Sequence, residues 1–127
     1  MAQRHDVAGW GPWSKKHGVT YAHAPARVLE QVIALRVHLD DSTADNGPLR
    51  VLPGSHIHGV LDDTQIQELS QRVPPARCTV PAGGVIAMRP LLVHASSKTR
   101  VETPRRVLHL EYAVSLVLEP GLELCAA

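Results

Sequence analysis

Residues 28–40 read VLEQVIALRVHLD, and their alternation sets the fold class. Leu29, Ile33, Leu35, Val37 and Leu39 share one side of an extended chain, with Gln31 the exception. Glu30, Arg36, His38 and Asp40 share the other. A period of two belongs to a strand with one face in the core. The first residues, VLEQVIAL, also fit a turn of helix. Residues 105–118, RRVLHLEYAVSLVL, alternate in the same way. There Leu108, Leu110, Tyr112, Val114 and Leu116 oppose Arg105, Val107, His109 and Glu111.

Between these two segments lie shorter pieces separated by strong turn signals. Asp45-Asn46-Gly47-Pro48 and Pro53-Gly54 are turns on either side of a short strand at 49–52. Residues 62–73, DDTQIQELSQRV, space Ile66, Leu69 and Val73 for a helix. Asp62 or Asp63 can cap it, and Pro74-Pro75 ends it. Further strand pieces are expected at 77–81, 85–88 and 91–94, the last two divided by Pro90. Residues 1–27 carry weak periodicity and read as an irregular arm, with Trp10 and Trp13 packed against something. The sum is a mainly β chain, a sandwich or jelly roll with a short helical insertion.

Composition excludes several classes of function. A chain of 127 residues suits one domain spanning 1–127. Its net charge of +1 gives no long-range pull on nucleic acid or anionic lipid. No apolar run approaches the roughly 20 residues of a membrane span. The start, MAQRHDVAGW, has no apolar h-region, so a cytoplasmic location is expected. Cys78 and Cys125 form no CxxC pair and read as isolated thiols.

Eight histidines turn attention to metal chemistry. His38 and Asp40 stand at i and i+2 of a strand, so both point to one side. With His94 they would make two imidazoles and one carboxylate, the open-sided set of non-haem Fe(II) oxygenases. Their ordinary reading is the polar face of a half-buried strand. His56 and His58 share the spacing but lie in a loop between turns. Arg105 stands eleven residues after His94 and can fork a carboxylate, with Ser96 in support. The ordinary reading of Arg105-Arg106 is a solvated pair.

The strings HLDDSTADNGPLRVLPGSHIHG, AGGVIAMRPLLVHASSKTR and PRRVLHLEYA together resemble the phytanoyl-CoA dioxygenase family. The resemblance covers roughly residues 10 to 115. It implies a double-stranded β-helix and dependence on Fe(II) and 2-oxoglutarate. It implies that His94 is the distal iron ligand and that Arg105 holds the distal carboxylate of 2-oxoglutarate, supported by Ser96. The reaction implied is hydroxylation of a C–H bond while 2-oxoglutarate is decarboxylated to succinate.

One departure bears on activity. The family's first two iron ligands form an HxD pair upstream of the stretch that reads GWGPWS here. His5-Asp6 are adjacent and do not make that pattern, and His38-Leu39-Asp40 lies on the strand leading into NGPL. The resemblance therefore implies a C-terminal portion of an oxygenase, an incomplete jelly roll with weak or no turnover. Its open sheet edge would favour self-association. Two other readings stand beside it. One is a complete small oxygenase using His38, Asp40 and His94. The other is a non-enzymatic module in which Arg100, Arg105 and Arg106 hold a small carboxylate. A small-molecule substrate is expected in either enzyme, and its identity is not legible.

Overall fold

The computed structural model describes residues 7–123; His5, Asp6 and Cys125 lie outside them. Within the expected irregular arm, β1 (Trp13–Lys16) and β2 (Val19–Ala22) form an antiparallel hairpin. His17 and Gly18 join them with φ of 49° and 82°. Two positive φ values in a two-residue loop match the right-handed twist of the flanking strands. Trp10 and Trp13 stack on each other, with ring centroids 6.5 Å apart.

A short helix, α1 (Ala26–Leu29), leads into β3 (Val32–His38). The helical turn latent in VLEQVIAL and the strand are thus both present. Then follow β4 (Leu49–Val51), a 3-10 turn (Ser55–His58), α2 (Asp63–Arg72) and β5 (Ala76–Cys78). Asp62 caps α2 reciprocally: its carboxylate accepts from Gln65 N, and the Gln65 side chain accepts from Asp62 N. The chain continues through β6 (Val85–Met88), β7 (His94–Ser96), β8 (Val107–Ala113), β9 (Val117–Glu119) and β10 (Leu122–Glu123). The strand expected at 91–94 begins only at His94, because Arg89 to Leu92 form a turn closed by Leu92 N to Arg89 O. The alternation of 105–118 is likewise divided, with β8 ending at Ala113.

Two antiparallel three-stranded sheets carry the chain, in the orders β6-β3-β8 and β5-β4-β7. The core lies between them. Ala34, Leu49 and Met88 are its buried centre, with Val51, Cys78, Ile86 and Leu92 packed around. Burying one such Leu contributes about 1.5–3 kcal/mol. Cys78 is a free thiol. No helix among the described residues is long and apolar enough to cross a membrane.

The buried face of β3 is the opposite of the one its sequence suggests. Val32, Ala34 and His38 are buried, whereas Ile33 and Leu39 are exposed. On β8, Leu108 and Tyr112 are about half exposed, at 49% and 55%. The register puts Ile33 opposite Tyr112, Leu35 opposite Leu110 and Val37 opposite Leu108 and Val85. These residues share the outer face, which nothing among the described residues covers at Val85, Leu108 and Tyr112. Alternation says which residues share a face, and small Ala34 on the other face is what lets Leu49 and Met88 close in.

Gly47 fixes the close approach of the chain entering β4 to the chain leaving β7. Its φ is +77°, and a Cβ there would lie 2.3 Å from the carbonyl oxygen of Ser97. Gly18 has a similar φ of +82° with open space around it. Gly18→Ala should cost about 1 kcal/mol from backbone strain alone. Gly47→Ala should cost about 3 kcal/mol, because the 97–99 backbone must also move. Chemical denaturation of the two variants checks this; equal losses would show that the close approach is not tight.

Candidate functional site

β3 and β8 pair along their length, with His38 opposite Val107 and Arg36 opposite His109. Directly paired residues share a face, so Arg36, His38, His109 and Glu111 line the side turned toward the other sheet. Just past the end of this ladder, Leu39 N bonds Arg106 O at 3.0 Å. The Asp40 carboxylate then grips Arg106 three times, from backbone N (2.8 Å), Nε (2.9 Å) and Nη2 (2.9 Å). These hydrogen bonds hold the Asp40 carboxyl down at about 2. With Arg106 clamped outward, Arg105 turns to the inner side and donates from Nε to the Asn46 carbonyl at 3.1 Å.

Asn46 is itself locked. It is 2% exposed, its Nδ2 donates to Asp41 O at 2.7 Å, and its Oδ1 accepts from Thr43 N at 2.8 Å. The next residues, Gly47 and Pro48, lie against the 97–99 segment, where Ser97 N reaches Pro48 O at 3.4 Å. One short stretch, 46–49, thus positions both Arg105 and the strand that carries His94 and Ser96. The Asp-Asn-Gly-Pro turn of the sequence is a structural anchor for the site.

His94 pairs with Val51 and Ser96 with Leu49, which places both on the core-facing side of β4-β7. Buried Ser55 holds the preceding residue, its Oγ accepting from Val93 N at 2.8 Å. His94 Nδ1 donates to the Leu92 carbonyl at 2.6 Å. A carbonyl can only accept, so in the neutral ring the Nε2 lone pair is left to a ligand. His94 and Ser96 are exposed.

The alternative trio of His38, Asp40 and His94 is not assembled. Asp40 is committed to Arg106, and no group of three His, Cys, Asp or Glu able to hold a metal occurs among the described residues. His56 and His58 sit exposed in the 3-10 turn. Arg106 belongs to the Asp40 clamp.

Sequence reasoning missed where His38 and Arg36 lie. His38 is 1% exposed, and neither of its ring nitrogens has a protein partner among the described residues. Burial, and the charges of Arg36 and Arg105, push its pKa below the usual 6.5, so the ring is neutral at pH 7. Buried Arg36 Nε is also without a partner, and burial and the neighbouring Arg105 lower its pKa. Reading Arg36 and His38 as an outer polar face hid them; β3 turns that face inward.

Residues 4–107 match the phytanoyl-CoA dioxygenase (PhyH) family. The chain belongs to the phytanoyl-CoA dioxygenase family. Among relatives of this PhyH chain is an L-proline trans-4-hydroxylase of Streptomyces griseoviridis, 29% identical over 138 residues. That match covers 88% of this chain and 51% of the relative, so the chain spans about half the relative's length. EctD from S. alaskensis is 32% identical over 66% of this chain, and its structure with bound Fe superposes with a TM-score of 0.60, covering 32% of that chain. A further EctD structure holds 2-oxoglutarate and 5-hydroxyectoine. AviO1 from Streptomyces viridochromogenes Tue57 is 27% identical, with a TM-score of 0.59 over 94% of this chain and 48% of that one. The PhyH family is one of Fe(II)- and 2-oxoglutarate-dependent oxygenases.

The residues of this PhyH chain fit the two cofactors unequally. The described residues supply one suitable imidazole, His94, and do not make an iron site by themselves. Their chemistry suits a carboxylate better: Arg36 Nε and both His38 ring nitrogens are buried without a partner, and the charge of Arg105 acts on His38.

The Asp40 clamp sets an acid limit. A carboxyl at about 2 in the fold, against an ordinary 3.8, adds stability that is full above pH 4 and fades as pH falls toward 2. Asp40→Asn should therefore lower the unfolding midpoint at pH 7 and leave it close to wild type at pH 2. A deficit of the same size at both pH values would show that the ion pair is not its source.

Proposed function

We propose that this chain forms the co-substrate side of a Fe(II)- and 2-oxoglutarate-dependent oxygenase site. Arg105 receives the distal carboxylate of 2-oxoglutarate through its terminal guanidinium nitrogens, while Asn46 holds its Nε. Ser96 supports the same carboxylate, and His94 offers Nε2 to the metal. The observation that carries this reading is that the 46–49 stretch anchors Arg105 through the Asn46 carbonyl and pairs with the strand bearing His94, whose Nδ1 is already engaged by the Leu92 carbonyl. The two facing sheets are read as the walls of a double-stranded β-helix.

When bound, Fe(II) supplies the redox chemistry of this family. One imidazole holds that ion weakly. Turnover by this chain alone is therefore expected to be weak or absent, and its substrate is a small molecule of unassigned class. A second reading, a non-enzymatic jelly roll that binds a small carboxylate, rests on the charge and unpartnered donors at Arg36, His38 and Arg105, with no group of three metal-binding side chains among the described residues. In solution, the apolar outer face at Val85, Leu108 and Tyr112 would favour self-association.

Anaerobic Fe(II) titration in excess 2-oxoglutarate tests the assignment. The expected result is 2-oxoglutarate binding, measured by calorimetry, that is lost in Arg105→Ala. No saturable charge-transfer band is expected from the folded chain. A saturable band abolished by both His38→Ala and His94→Ala would overturn the incomplete-site reading and establish a complete small oxygenase.

A further inference from the structure

The inner end of β3 carries more cationic and donor capacity than one arginine provides. Arg36 and His38 stand two residues apart on one face, and Arg105 enters beyond Val107, the residue paired with His38. Arg36 and Arg105 each disfavour the charged form of His38, and Arg105 disfavours that of Arg36. The nearby acids are otherwise engaged: Asp40 with Arg106, Asp41 with Ala82 N, and Glu111 with His109.

Arg36 is half-buried, and an arginine held inward for structure is expected to meet a carboxylate of the protein. Arg36 instead shares the inner face with His38, at the end of the ladder where Arg105 enters, and its buried Nε is unpaired. His38 adds two buried ring nitrogens with no protein partner. Buried polar groups normally find partners, and orphans of this kind point to a missing one. The missing partner must be an acceptor, small enough for a buried site and negatively charged.

We propose that Arg36 and His38 join Arg105 in a single cradle that binds one carboxylate group, with Arg36 donating from Nε and neutral His38 from its one ring N–H. The proposal deepens the function above and rests on its assignment of Arg105. Arg36 and His38 act as binding residues for the co-substrate's distal carboxylate. The cradle is self-repelling when empty and relaxed when filled. Removing Arg36 should therefore stabilise the ligand-free chain while weakening the anion complex. A purely structural arginine would show neither effect.

The full chain, in metal-free buffer with chelator, is titrated with glutarate, a dicarboxylate that lacks the 2-oxo group needed to chelate iron. Calorimetry gives affinity, and thermal unfolding gives stability with and without ligand. Arg36→Met should weaken glutarate binding about tenfold or more, the scale of a charged hydrogen bond. It should also raise the unfolding midpoint of the free chain. His38→Leu should weaken binding severalfold, and His38→Gln, which keeps an N–H donor, should recover most of it.

If Arg105→Gln abolishes binding while Arg36→Met and His38→Leu bind like wild type, the cradle is refuted and the Arg105 assignment survives. If wild type binds no glutarate or 2-oxoglutarate, both fail together. A lower midpoint for Arg36→Met with unchanged affinity marks Arg36 as structural and overturns the proposal. If Arg36→Met does not fold, Arg36→Lys and the His38 pair decide. Wild-type affinity in all three refutes the cradle, and weakened binding in Arg36→Lys and His38→Leu, recovered in His38→Gln, supports it.

Discussion

The site-bearing sheet depends on β3, hydrogen-bonded to β6 on one edge and β8 on the other. A central strand cannot slip by one residue without exchanging its faces. Its register with β8 therefore decides at once which residues fill the core and which meet the site. With Ala34 and Val32 inward, Arg36 and His38 are carried inward too. The cost of burying those two polar side chains is built into the same alternation that makes the core.

The end of β3 is held as firmly as its middle. His38 N bonds Gly84 O at 2.9 Å, and Gly83 N returns a bond to His38 O at 2.7 Å. One residue on, Leu39 and Asp40 hold the backbone and side chain of Arg106. These contacts leave Arg105 and His38 little freedom before any ligand arrives. Preorganisation of this kind lowers the ordering cost of binding. Asn46, Gly47 and Ser55 do the corresponding work for the strand that bears His94.

Much of the molecule was legible in its residues. The capped helix at 62–73 and the turns at 45–48 and 53–54 follow from local patterns such as Asp62 and the Asn-Gly-Pro run, and the family from the resemblance of three longer strings. The expected pair of His94 and Arg105 rests on two anchors that local patterns do not name, the Leu92 carbonyl and the Asn46 carbonyl. The inward face of β3 was misread for a physical reason. Ile33, Leu35 and Val37 are its most apolar residues, yet they form an outer face that is only partly covered. A rule that sends the more apolar face to the core cannot see this. The hairpin at 13–22 was missed because its turn, His17-Gly18, places a non-glycine residue at positive φ.

The central claim is that the inner end of β3 is an anion cradle formed in advance of its ligand. It is tested most directly by watching the His38 ring nitrogens by NMR, with His38→Gln to assign them, as 2-oxoglutarate is added to the metal-free chain. A neutral, slowly exchanging imidazole in the free protein, whose nitrogen signals move in proportion to bound 2-oxoglutarate, is the expected result. Signals that stay fixed while 2-oxoglutarate binds at Arg105 would contradict it.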